Sequence, residues 1–152
     1  MKVKTLLAAL ATAAILPVAA YADEASPSDK ANGARSCQAL RTSMGATFAQ
    51  TYRTFGACVS AWSRAEHQNR HEAETACKAA NPDARGGVVQ RCVQAKLKAE
   101  RAAERAATVR AAKACKAERT SLGAAAFTAR YGGKANAFGR CVSKLAAAKS
   151  AG

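Results

Sequence analysis

Apolar residues are distributed along this chain in three ways. Residues 6–16 form an almost unbroken apolar run. A polar stretch follows, carrying Pro27 and Gly33, and predicts a flexible leader over residues 23–35. Beyond it, residues 57–80 and 88–122 contain neither Gly nor Pro and are rich in Ala, Lys, Arg, Glu and Gln, a composition of high helix propensity. Asn81-Pro82 and Gly86-Gly87 interrupt the pattern between these segments, and Gly123 is a natural residue just past a helix end. The fold class expected is therefore all-α, with two long antiparallel helices over residues 57–80 and 88–122. Shorter helices are expected to flank them near residues 30–44 and 137–148. A single domain would occupy residues 36–149, ending in a frayed tail at 150–152.

The first apolar run has the three parts of a signal peptide. Lys2 and Lys4 give it a positive start, and Ala20-Tyr21-Ala22 places small residues at both positions read by a signal peptidase. Cleavage is expected before Asp23, removing residues 1–22. A membrane anchor fits less well. Pro17 interrupts the stretch, no basic stop-transfer cluster follows, and about 18 residues is at the short limit for a span. The chain is expected to be secreted, extracellular or associated with the cell envelope, with no transmembrane segment after cleavage.

Composition then changes the picture. Of 152 residues, removal of 22 leaves 130, and loss of Lys2 and Lys4 with no acid lowers the net charge from +14 to +12. Large apolar residues are few after residue 22, a thin core for a small domain, which buries a low fraction of its surface in any case. Six cysteines are the obvious supplement, because an even count in an oxidising compartment reads as disulfides. No CxxC pair and no zinc-finger spacing is present, and no cofactor is expected.

Two segments resemble each other. Residues 37–60 contain Cys37, Arg41-Thr42-Ser43-Met44-Gly45, Phe48, Tyr52 and Phe55-Gly56-Ala57-Cys58-Val59-Ser60. Residues 115–143 contain Cys115, Arg119-Thr120-Ser121-Leu122-Gly123, Phe127, Tyr131 and Phe138-Gly139-Arg140-Cys141-Val142-Ser143 in the same order. A degenerate third unit keeps only its ends, Cys77 and Arg91-Cys92-Val93. The pattern resembles a group of uncharacterised secreted bacterial proteins with repeated C-x3-R … AF-x3-YG … FG-x-CVS segments. That group has no established activity, so the resemblance implies none. The aromatic residues between the cysteines of each repeat are expected to form two small loop cores, and Trp62 to be buried.

Helix continuity limits the disulfide pairing. Cys58 and Cys77 lie about 28 Å apart on one helix, and Cys92 and Cys115 about 34 Å apart on the next, at about 1.5 Å per residue. A bridge needs Cα atoms within about 7 Å. Both intrahelical pairs are thereby excluded. The simplest scheme left is Cys37–Cys58, Cys77–Cys92 and Cys115–Cys141. Exchange between the repeats, Cys37–Cys141 with Cys58–Cys115, stays open.

Two sets of residues could carry chemistry. His67, His71 and Glu74 share one helical face and could hold a metal ion, because two imidazoles one turn apart plus a carboxylate make a ligand set. The opposite face carries Cys58, Trp62, Ala65 and Ala73, so the histidines are expected to point to solvent. The metal reading supports an alternative function, a secreted metal-binding protein or hydrolase. The second set is basic. Arg91, Lys98, Arg101, Arg105, Lys116 and Arg119 fall within about 80° on the helix over residues 88–122, while Glu100, Glu104 and Glu118 lie elsewhere on it. Such a stripe, about 42 Å long, is a footprint for a polyanion: a wall polymer, an anionic membrane surface or a nucleic acid. No Ser or Cys stands beside a histidine in any nucleophile motif, and the ten acids are scattered. The reading favoured by the sequence is a non-enzymatic, disulfide-stabilised helical protein with a basic surface.

Overall fold

The computed structural model describes residues 25–132 and 136–150, the side chains of 149 and 150 excepted. The expected signal peptide and its cleavage site lie outside these residues. Six helices make up the described chain, with no strand among them. They are α1 (Pro27–Met44), α2 (Thr47–Tyr52), α3 (Phe55–Ala80), α4 (Gly86–Leu122), α5 (Ala124–Tyr131) and α6 (Ala137–Ser150). None of them is long and apolar enough to cross a membrane.

The long helices pack as successive antiparallel pairs. Cys37 bridges Cys58, Cys77 bridges Cys92 and Cys115 bridges Cys141, with Cα separations of 6.0, 5.9 and 6.0 Å. The exchanged pairing is not adopted. Each bridge ties one helix to the next long one, α1 to α3, α3 to α4 and α4 to α6. Within the first pair, Gly33 lets α1 approach α3 so closely that a Cβ there would stand 2.7 Å from Ser63 Oγ.

Three expectations need correction. Residues 27–35, expected to belong to a flexible leader, form the first two turns of α1. Ser26 caps the helix, its hydroxyl accepting from the Asp29 amide at 3.2 Å while Asp29 Oδ2 accepts from the Ser26 amide at 3.1 Å. Pro27 follows at the first helical position, where its missing N–H costs nothing. Second, Gly86 and Gly87 open α4 rather than break the chain. Third, the connections inside the repeats are helical: α2 and α5 fill them, each entered through a glycine at positive φ, Gly45 at 54° and Gly123 at 76°.

The repeat is visible as a corner built twice. In each, three aromatic rings gather: Phe48 lies 5.3 Å from Tyr52 and 6.4 Å from Phe55, and Phe127 lies 4.8 Å from Tyr131 and 6.3 Å from Phe138, ring centre to ring centre; Phe48, Phe127 and Phe138 are buried, whereas Phe55 is exposed. The corners do not form separate loop cores. Leu40, Phe48, Trp62, Phe127, Phe138 and Val142 join the cysteines of both in one continuous core. At the far end of the α3–α4 hairpin a smaller cluster holds Ala73, Cys77, Val93 and Leu97.

Candidate anion-binding groove

Between the two apolar clusters lies a belt of buried charge. Asp29 is fully buried and accepts from Arg70 Nη2 at 2.6 Å and from Ser26 Oγ at 2.7 Å. Burial pushes its carboxyl upward, but the hydrogen bonds from Ser26 and Arg70 and the guanidinium charge outweigh that, leaving it below the ordinary value. Glu66, also buried, accepts from Asn32 Nδ2 at 3.1 Å and lies 3.1 Å from Arg101 Nε. Burial prevails at Glu66, holding its carboxyl above the ordinary value despite Arg101 and Asn32.

This belt decides the fate of the histidines. His67 Nδ1 stands 3.5 Å from Asp29 Oδ2, with 18% of its side chain exposed, so it does not point into solvent as expected. The start of α1, expected to be loose, is the element that covers it. His71 is exposed and its ring meets that of His67 edge-on at 4.7 Å, while Glu74 is half-buried. Among the described residues, no group of three or more metal-ligating side chains comes together.

The basic stripe is divided by the fold. Arg101 is neutralised by Glu66. Arg91 and Lys98 are exposed toward the distal end of α4. Arg105, Lys116 and Arg119, by contrast, line a furrow where α1 and α2 run beside the second half of α4. Three hollows of about 360, 200 and 420 Å³ follow one another there. Ser43 and Val109 are shared by the first two, and Thr47 and Lys116 by the last two, so the hollows adjoin in a row, a grooved seam along α4.

Arg110 and Lys113 also line it, and the sequence reading passed over both. The expectation of a single basic stripe assumes one buried face along all of α4. The distal half buries Val93 and Leu97 against α3 alone, whereas the other half buries Ala107, Ala111, Ala112 and Cys115 as further helices join. The face left open therefore shifts. Arg110, Lys113, Lys116 and Arg119 step by three residues, and such a row winds obliquely across a helix surface. The signal was present in that spacing.

From Arg105 to Arg119 the row covers about 21 Å along α4. No acid lines it. Glu104 accepts from Asn69 at 2.9 Å, and Glu118 takes Tyr131 Oη at 2.8 Å and Arg130 at 3.0 Å. The Glu118 contact raises the Tyr131 phenol above its ordinary value. Among the described residues Arg110, Lys113 and Lys116 have no acidic partner; Arg119 donates weakly to Gln50 Oε1 at 3.4 Å.

The chain has no match among protein-family models, curated proteins or solved structures. The groove is therefore read from its own chemistry. Five cations bordering these hollows in succession can neutralise a run of anionic groups, and each engaged phosphate releases condensed counterions.

Proposed function

We propose that this is a secreted, non-enzymatic helical protein that binds anionic polymers through the groove along α4. The observation that carries the reading is the unbalanced row Arg105, Arg110, Lys113, Lys116 and Arg119 in a concave seam with no acid in its lining. Secretion is supported by the pattern of residues 1–22 and by three disulfides, which persist in oxidising compartments.

The test compares two triple variants of equal charge. Arg110→Gln with Lys113→Gln and Lys116→Gln removes the middle of the groove. Arg91→Gln with Lys96→Gln and Lys98→Gln removes exposed cations at the distal end of the same helix. Titration against a long polyanion should show the groove variant weakened at least tenfold, with its salt slope reduced by about 2, since three contacts are lost at about 0.7 each. The distal variant should stay within about threefold of the parent, a difference under 1 kcal/mol. Equal weakening by both would leave only diffuse charge, and no binding by the parent at about 0.15 M salt would end the proposal.

A further inference from the structure

The two walls and the floor of the groove differ in chemistry, and the difference points to one kind of polymer. We infer that the groove takes a single flexible phosphodiester chain whose linkers are short polyols, laid along α4. The inference rests on the polyanion reading above and narrows it.

Width is the first consideration. The successive hollows along the α1–α4 seam hold only about 360, 200 and 420 Å³, room for one extended chain. A nucleic acid duplex is read by an element that enters a groove about 12 Å wide, and α4 is packed here against α1, α3, α5 and α6 instead of standing clear. Stacking is the second. Single-stranded nucleic acids are held by aromatic faces as well as charge. Phe138, the ring in the described lining, is only 6% exposed and offers no face.

The third consideration is what stands opposite the cations. The α1–α2 wall presents Ser43, Thr47 and Gln50, neutral groups able to hydrogen-bond hydroxyls. The apolar floor is lined by methyl-bearing side chains, Ala39, Ala46, Val109 and Ala112. A chain of bare phosphate would use the cationic wall alone. A polyol phosphate also uses the other two surfaces, its carbon linkers on the floor and its hydroxyls on the neutral wall.

Two sources display this chemistry, a free polyol phosphate chain and the headgroups of an anionic glycerophospholipid bilayer. The seam is concave and a bilayer is flat, which favours the free chain. The full mature protein is titrated at about 0.15 M salt with poly(glycerol phosphate), and with inorganic polyphosphate and oligothymidylate matched in charge. Phosphatidylglycerol vesicles and a DNA duplex complete the set. Poly(glycerol phosphate) is expected to bind at least tenfold more tightly than each of the others. Ser43→Ala with Thr47→Val should weaken it about fivefold and leave inorganic polyphosphate unchanged.

Equal affinity for polyphosphate and the polyol chain would overturn the inference while the polyanion reading stands. Tighter binding of oligothymidylate, duplex or vesicles would do the same and name the alternative. Failure to bind any probe would overturn both.

Discussion

A methyl group added to Gly139 would lie 2.6 Å from the Thr51 carbonyl oxygen and against the Asn136 side chain, whereas at Gly56 it would meet nothing within 4 Å. The two residues hold the same place in the two FG-x-CVS motifs. Their difference arises because α2 packs on α6 while nothing comparable closes on the start of α3. Gly139→Ala should therefore cost about 1–3 kcal/mol through overpacking. Gly56→Ala, in a helical position with open space, should gain about 0.4–1 kcal/mol by restricting the unfolded chain. Urea unfolding of the two variants checks both signs, and a similar loss in each would show the motif glycines to be equivalent after all. The buried carboxyls supply a second contrast of sign. Asp29 is held below its ordinary 3.8, so its contribution is present above that value and is lost as pH falls through its folded pKa. Glu66 is held above its ordinary 4.5, so its contribution is present below 4.5 and is lost as pH rises through its folded pKa. Acidification from neutrality should first raise the urea midpoint and then lower it. Glu66→Gln should flatten the upper limb and Asp29→Asn the lower one.

At the scale of elements, α3 and α4 were legible because each is long and free of internal breakers. Their starts fall two residues earlier than expected, at Phe55 and Gly86. Continuity of these helices also made the intrahelical bridges impossible, which is why half of the pairing problem was soluble from sequence. The short helices were not legible. Six residues in α2 and eight in α5 are less than an amphipathic period needs to show itself. The start of α1 was overlooked for another reason: Ser26, Pro27 and Asp29 are helix-initiating residues that also look like leader composition. The candidate groove was half legible. Three of its five cations stood in the expected stripe, but which face of α4 remains open depends on where α1 and α2 land. No pattern internal to α4 contains that information.

The whole molecule has uneven support. Its central core gathers six helices, while the distal α3–α4 hairpin rests on Ala73, Val93 and Leu97 around the Cys77–Cys92 bridge. So small a cluster leaves that bridge as the chief restraint there. Cys77→Ser with Cys92→Ser should cost about 3 kcal/mol by the loop-closure relation for some 15 residues. Hydrogen exchange should speed up across residues 73–97 and stay slow around Leu40, Phe127 and Val142. Uniform acceleration would mean that the hairpin and the core open together. The same covalent plan has an effect on cleavage. Residues 45–46 and 53–54 lie within the ring closed by Cys37–Cys58, residues 81–85 within that of Cys77–Cys92, and residues 123 and 132–136 within that of Cys115–Cys141. Every passage from one helix to the next is thus spanned by a bridge. A protease that cuts any such passage produces a nicked molecule whose two pieces stay joined, and only reduction of that bridge removes the covalent tie.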